Sequence, residues 1–181
     1  PIYINGNVHL ILKDGCVLTQ KTYYAIEHLR ICVKPGSTLT IYSQQEGTGK
    51  IDKLEGNSTR SGIHVPKGAT LNIKGGTIDA EGTSGGAGIG GDKGEAAGEI
   101  NIFGGMVFAK GGKYGAGIGG GDEGAGGNVI IYDGEVVAIG GKEAAGIGSG
   151  NEGGSGGTTT IYGGTVIAKG GEGAAGIGGG T

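Results

Sequence analysis

The chain has 181 residues, a formal net charge of -3, and 49 glycines against 3 prolines. A glycine share of this size indicates a disordered chain unless the glycines recur at a fixed period. The 14 lysines and arginines are scattered, and no stretch approaches the roughly 20 apolar residues that a membrane span needs. We therefore expect neither a nucleic-acid partner nor membrane insertion.

The front part of the chain contains short apolar segments that are each followed by a turn. Their positions are 10–12, 31–33 and 63–65, and the turns are Lys13-Asp14-Gly15, Lys34-Pro35-Gly36 and Pro66-Lys67-Gly68. We align the three turns with one another, although their spacings of 21 and 32 are uneven. The alignment predicts irregular front coils over residues 1–60.

A regular repeat follows over residues 61–181. The tripeptide Gly-Ile-Gly occurs four times, and its isoleucines are spaced by 29, 29 and 30 residues: Ile89, Ile118, Ile147 and Ile177. Turn doublets at 75–76, 104–105, 133–134 and 163–164 show the same spacing. Two independent markers therefore define a repeat of about 29 residues.

Each repeat contains three short strands separated by glycine turns, with no helical period. Alternation along the strands places Ile100 and Ile102 inward on the first strand, and Val107 and Ala109 inward on the second. One unit cannot bury this apolar face, but coils stacked at about 4.8 Å can. The prediction is an all-β single domain, a right-handed parallel β-helix of about six coils, the hand following the general preference of parallel crossovers.

Two outward positions carry aromatic and apolar side chains. The first column is Tyr42, Lys74, Phe103, Tyr132 and Tyr162, and the second is Asp79, Phe108, Val137 and Ile167. Exposed aromatic patches are typical of binding surfaces. Since sugar rings stack on aromatic faces, we predict a polysaccharide contact through Tyr42, Phe103, Phe108, Tyr132 and Tyr162. Two alternatives stay open: the rings only stabilise the sheet, or the strip is a homo-oligomer interface.

Acidic and amide residues follow the Gly-Ile-Gly segments at Asp92, Asp122 and Asn151. Stacked carboxylates at these positions could hold calcium, which prefers oxygen ligands. Known calcium-binding repeats of this kind have a period of about nine residues, and Glu123 and Glu152 are not matched in every unit. A structural role in the turn is the favoured interpretation, and no other cofactor is expected.

Catalytic motifs are not legible in the chain. Enzymes built on β-helices cluster carboxylates with a basic residue, and the only arginines are Arg30 and Arg60. The three histidines, His9, His28 and His64, fall in the front coils without a nucleophilic set. We align His64 with Ile11 and Cys32 on an outer face and interpret it as a surface histidine. The Gly-Ile-Gly segments lack the Lys and Ser/Thr of a phosphate-binding loop.

The two cysteines are predicted to remain unbonded. We align Cys16 with Ser37 and Ala69 after a turn, whereas Cys32 lies in the middle of a strand. Positions five residues apart in the repeat are roughly 15 Å apart along an extended chain, beyond the roughly 7 Å Cα limit for a disulfide.

The units Gly98-Glu99-Ile100-Asn101-Ile102-Phe103-Gly104-Gly105 and Ala175-Gly176-Ile177-Gly178-Gly179-Gly180 resemble glycine-rich repeats of bacterial cell-surface proteins. The segments 10–15 and 62–66 resemble those that precede such repeats. The resemblance implies an extracellular, adhesin-like β-helix, often described as carbohydrate-binding, with no catalytic motif to transfer.

Together these observations predict a non-catalytic cell-surface module that is structural or adhesive and contacts polysaccharide or another surface glycan. The alternative is an ancillary or degenerate β-helix of a carbohydrate-active enzyme, of the lyase or hydrolase type. Because the chain ends inside a repeat at Thr181, we also expect it to be a piece of a longer protein.

Overall fold

A computed structural model describes residues 1–19 and 30–181, and within these residues it contains strands and turns but no helix. His28 lies outside the described residues. The strands in chain order are β1 (Ile2–Ile4), β2 (Asn7–Leu12), β3 (Val17–Thr19), β4 (Ile31–Val33), β5 (Thr38–Ser43), β6 (Lys50–Glu55), β7 (Ile63–His64), β8 (Thr70–Ile73), β9 (Thr77–Glu81), β10 (Ile89–Gly90), β11 (Glu99–Ile102), β12 (Met106–Lys110), β13 (Ile118–Gly119), β14 (Asn128–Ile131), β15 (Glu135–Ile139), β16 (Ile147–Gly148), β17 (Thr158–Ile161), β18 (Thr165–Lys169) and β19 (Ile177–Gly178).

Every third strand along the chain belongs to the same sheet. Sheet A has seven strands in the order β1-β4-β7-β10-β13-β16-β19, while sheets B and C have six each, β2 to β17 and β3 to β18. All strand pairs within these sheets are parallel. Each coil gives one strand to each sheet, so coil 1 is β1–β3 and coil 6 is β16–β18. The fold is the predicted parallel β-helix of about six coils.

The register between coils confirms the inward columns of the regular repeats. In sheet B, Ile100 pairs with Leu71 and Val129. In sheet C, Val107 pairs with Ile78 and Val136. All these side chains are buried in one continuous apolar core, which also includes the isoleucines of the Gly-Ile-Gly segments in sheet A up to Ile147. The stacked side chains supply the interior that a single coil lacks.

The predicted alignment of the front coils is wrong by one corner. Residues 10–12 do not align with β4, because Leu10 pairs with Ile41 in sheet B, and the partner of Ile31 is Ile2. The turn at Lys13-Asp14-Gly15 accordingly contacts residues 44–48, where Asp14 accepts the backbone N–H groups of Glu46 and Thr48. The spacing of 21 residues between this turn and Lys34-Pro35-Gly36 is short because the two turns lie at different corners of the coil.

The same correction applies to Cys16. Its carbonyl accepts the N–H of Lys50 at the entry to sheet C, so it does not align with Ser37 and Ala69, which are themselves equivalent. Cys32 lies mid-strand as predicted, paired with Tyr3 and His64. Both cysteines are free thiols, as expected.

The regular strands of sheet A are only two residues long, an isoleucine followed by a glycine. Gly119 has φ +136, and a Cβ built there would lie 2.0 Å from the carbonyl oxygen of Gly148 in the next coil. Only glycine allows this backbone conformation and this approach of neighbouring coils. The outward position of sheet A therefore carries no side chain at Gly90, Gly119 and Gly148.

Charge placed on the two faces of β14 provides a matched test of the register. Ile131 is fully buried, whereas its neighbour Ile130 points outward and is half-buried. We expect Ile131→Asp to destabilise the protein by about 4 kcal/mol or more, because it buries an unpaired charge. Ile130→Asp, like Lys74→Ala, should cost about 1 kcal/mol or less. Urea denaturation measures both, and equal losses for the two aspartates would invert the assigned faces.

A second matched pair tests the glycine column of sheet A. Gly119→Ala should destabilise by more than about 3 kcal/mol, because the strained φ and the clash with the Gly148 carbonyl add together. Gly94→Ala, also at positive φ but with nothing within 4 Å of the new Cβ, should cost only about 1–2 kcal/mol. Thermal melts of both variants would contradict the packing argument if Gly94→Ala were the worse.

Candidate functional site

The first outward column of sheet B forms a continuous stack in the later coils. The Phe103 and Tyr132 ring centroids are 4.6 Å apart with an interplanar angle of 4°, and those of Tyr132 and Tyr162 are 5.3 Å apart at 16°. Lys74 places its Nζ 3.9 Å from the Phe103 centroid. The structure thus brings together four of the five residues that the sequence aligned.

Tyr42 occupies the same position but does not extend this stack. Lys74 lies between it and Phe103, since the Lys74 N–H donates to the carbonyl of Ile41. Tyr42 instead stacks on His9, with ring centroids 5.5 Å apart. The predicted column therefore consists of two separate aromatic stacks. Tyr42 stacks with His9, and Phe103 stacks with Tyr132 and Tyr162; the ammonium group of Lys74 lies between the two stacks.

The later part of the strip is open to solvent within the chain. Tyr132 is 41% exposed and Tyr162 71% exposed, and Phe103 is half-buried. In the second column, Phe108 and Val137 are half-buried and Ile167 is exposed. We call these six residues the aromatic strip: Phe103, Tyr132, Tyr162, Phe108, Val137 and Ile167.

The stacking geometry determines what the strip offers a ligand. Parallel rings at the coil spacing occupy each other's faces, which is the arrangement that stabilises neighbouring strands. The groups left for a ligand are the ring edges and the hydroxyls of Tyr132 and Tyr162. A polar ladder runs beside them in the earlier coils, where Asn101 donates to Asn72 and Asn72 donates to Thr40. Among the described residues, no donor reaches the buried Oδ1 of Asn101.

The three candidate calcium ligands do not form one column. Asp122 aligns with Asn151, whose side-chain amide is 3.4 Å from the Asp122 carboxylate. Lys93 occupies the corresponding place in the preceding coil, and its ammonium group lies 2.7 Å from Asp122. Asp92 is therefore one position out of register. The charge of Lys93 already neutralises Asp122, and calcium binding at Asp122 and Asn151 stays a prediction.

Asp92 belongs instead to a buried ionic cluster that the sequence did not reveal. Arg30 binds both Asp92 carboxylate oxygens, each at 3.0 Å. Ser61 donates its N–H and its hydroxyl to Oδ1, both at 2.8 Å, and Arg60 approaches Oδ2 at 3.3 Å. Asp92 and Arg30 are both buried. Burial alone raises the pKa of Asp92, but Arg30 and the Ser61 N–H outweigh it, so that pKa is lowered.

Cys32 and His64 lie beside this cluster on the outer face of sheet A. The Nε of Arg30 donates to the Cys32 Sγ at 2.9 Å, and the His64 Nε2 lies 2.6 Å from the Glu95 carboxylate. His64 lies on the outer face, as predicted, but it is not a freely exposed surface histidine, since its side chain is only 15% exposed. The sequence alignment of His64 with Cys32 was correct and was the one available signal for this site.

His64, Asp92 and Glu95 offer ligand atoms within 4.8 Å of one another, a spacing that suits a metal ion. The guanidinium groups of Arg30 and Arg60 both contact Asp92, however, and already supply positive charge there. Electrostatics therefore favours ion pairing over a bound cation.

A cleft of about 520 Å³ adjoins these residues. Cys32, His64 and Glu95 line it together with Arg30 and Arg60. Its remaining lining residues are Pro1, Tyr3, Val33, Lys34, Pro35, Asn57 and Pro66. The protein thus has two candidate sites, the aromatic strip on sheets B and C and the cleft on sheet A.

The regular coils match a family model described as a beta helix repeat, at residues 71–94, 100–122, 129–151 and 160–181. These matches together cover just over half of the chain. The chain belongs to the β-helix repeat family. The matched segments coincide with coils whose Gly-Ile-Gly and turn positions repeat in the structure. Membership explains the fold, and β-helix repeats occur in both enzymes and proteins without catalytic activity.

No curated protein and no solved structure matches the chain. Within residues 1–19 and 30–181, no helix is long and apolar enough to cross a membrane.

The ionic cluster makes stability depend on pH through Asp92. Because its pKa is lower in the folded chain than the usual 3.8, Asp92 stabilises the fold above pH 3.8, and this contribution is lost as pH falls through the folded-state pKa. Asp92→Asn should cost about 3 kcal/mol at neutral pH by leaving Arg30 buried without its charge partner. The difference from the wild type should shrink on acidification. Urea denaturation as a function of pH tests this, with the exposed Asp133→Asn as control; a difference that persists at the lowest pH would contradict it.

Proposed function

We propose that the chain is an extracellular structural and adhesive module that binds polysaccharide along the aromatic strip without cleaving it. The observation that carries this proposal is the exposure of Tyr132 and Tyr162 in a column that advances by one ring per coil. An extended polymer lying parallel to the helix axis would meet an equivalent group at each coil.

The polar groups beside the strip suit a saccharide. The phenol hydroxyls of Tyr132 and Tyr162 can both donate and accept hydrogen bonds, as a saccharide requires. The ring edges would contact the apolar C–H surface of the sugar. Binding of this kind is distributed over several coils and needs no deep pocket.

The architecture supports a mechanical role as well. Each interior coil is hydrogen-bonded to both neighbours in all three sheets, as Ile118 is paired with Ile89 and Ile147 in sheet A. A solenoid held in this way behaves as a stiff rod, which suits a spacer that displays a binding strip.

The second candidate is an ancillary β-helix of a carbohydrate-active enzyme. One observation favours it: Arg30 and Arg60 meet the carboxylate of Asp92 in the loops beside sheet A, next to Glu95 and a cleft. Incubation with polysaccharides tests whether this chain is itself catalytic. Release of oligosaccharide would support a carbohydrate-active enzyme, and retention without products supports the adhesive module.

Removing the two exposed phenol rings tests the adhesive function. Tyr132→Ala combined with Tyr162→Ala should keep the melting temperature within a few degrees, since no interior side chain is lost, but should weaken retention in polysaccharide affinity electrophoresis about tenfold or more. Tyr114→Ala, which removes an aromatic ring outside the strip, is the matched control. Equal retention of the double variant and the control would refute the proposal.

Sedimentation of the same variants tests the strip as a contact between copies. A mass that falls from oligomer to monomer only in the double variant would replace polysaccharide with a second copy of this chain as the partner.

A further inference from the structure

Cys32 is placed unlike any other side chain of sheet A. Its neighbours Ile31 and Val33 point into the apolar core, so alternation directs Cys32 to the outer face. It is nevertheless only 3% exposed, and it lines the cleft. A thiol on the outer face, covered by charged side chains, is not explained by core packing.

The charged side chains around Cys32 are held in fixed positions. Arg30 donates from Nε to the sulfur while both of its terminal nitrogens bind Asp92. Asp92 is fixed in turn by the N–H and hydroxyl of Ser61. The donor that faces the sulfur is therefore preorganised by a second layer of hydrogen bonds.

His64, on the adjoining strand β7, is the second titratable group beside Cys32. It is paired with Cys32 across the ladder between β4 and β7, and its Nε2 contacts Glu95 at 2.6 Å. A carboxylate that binds one imidazole nitrogen orients the ring and favours its protonated form. Cys32, His64 and Glu95 thus have the components of a nucleophile, a proton carrier and an orienting group.

The electrostatics agree with this geometry. Burial raises the pKa of Cys32, but the neighbouring His64 and the hydrogen bond from Arg30 outweigh it and lower that pKa. Burial lowers the pKa of His64, but its contacts with Cys32, Asp92 and Glu95 raise it overall. Both shifts favour a thiolate beside an imidazolium, the reactive form of cysteine.

The cleft also carries positive charge beyond that of the buried Arg30–Asp92 ion pair. Arg60 has a side chain that is 54% exposed, and Lys34 lies over the Tyr3 ring, with its Nζ 4.6 Å from the centroid. Both residues line the cleft. An anionic group on a ligand would find its complement there.

We propose that Cys32 is an acyl-accepting nucleophile for an ester whose acyl part carries an anionic group. The thiolate attacks the ester carbonyl carbon, forming a carbon–sulfur bond as the carbon–oxygen bond to the alcohol breaks. The departing alkoxide takes the proton of the His64 imidazolium. The products are S-acyl Cys32, the free alcohol and neutral His64. This site lies on a different sheet from the aromatic strip and does not depend on polysaccharide binding.

The native chain itself provides the control, because Cys16 is half-buried and lies at a different corner. We expect mono-p-nitrophenyl succinate at neutral pH to release one equivalent of p-nitrophenolate, with the succinyl group found on Cys32 by peptide mass mapping. Cys32 should be labelled well before Cys16, because the Arg30 hydrogen bond and the His64 imidazolium favour its thiolate. Equal labelling of both cysteines, or labelling of Cys32 only in urea, would overturn the proposal.

Variants separate the roles of the groups. Cys32→Ser should abolish the stoichiometric release and Cys16→Ser should leave it intact. His64→Asn should slow acylation and shift its pH profile to higher pH, because the thiolate loses the imidazolium. The neutral ester p-nitrophenyl acetate should react more slowly than the succinate ester, a difference that Arg60→Gln should reduce. Equal rates for the two esters in the wild type would overturn the anionic preference.

Discussion

The backbone hydrogen bonds between successive coils form only where equivalent residues stay in register, and the rest of the structure depends on that register. Glu99 to Ile102 pair residue by residue with β8 on one side and β14 on the other. Because side chains alternate, a slip of one residue would turn the buried isoleucines outward and the aromatic strip inward. The apolar core, the glycine positions of sheet A and the stacked rings are therefore consequences of one alignment repeated coil by coil.

The regular coils could be predicted from sequence because two markers identify two different corners of each coil. Gly-Ile-Gly marks sheet A, and the glycine doublet marks the turn between sheets B and C, so their order leaves no ambiguity. The front coils lack Gly-Ile-Gly. Their corners carry similar turns, such as Lys13-Asp14-Gly15 and Lys34-Pro35-Gly36. One kind of marker cannot distinguish one corner from the next, and residues 10–12 were consequently assigned to the wrong sheet.

The two candidate sites differ in the same way in how far the sequence could predict them. The column of Phe103, Tyr132 and Tyr162 followed directly from the repeat, since each member is the paired neighbour of the last. The repeat could not predict the Arg30–Asp92 pair. These residues are 62 positions apart, and they are joined by a hydrogen bond from the long arginine side chain rather than by strand pairing. The alignment of Cys32 with His64 was visible, but their burial depends on Arg30 and on the loop that carries Asp92 and Glu95.

The glycine positions of sheet A divide the surface of the solenoid into faces that can and cannot vary. At Gly90, Gly119 and Gly148 the outer position tolerates no Cβ, because the next coil is too close. New chemistry in the regular coils can therefore arise only on sheets B and C or in the loops. A further coil of the same pattern would add a rung to the aromatic column, yet it would leave the cleft unchanged. The length of the rod and the acyl-accepting site are thus free to change independently.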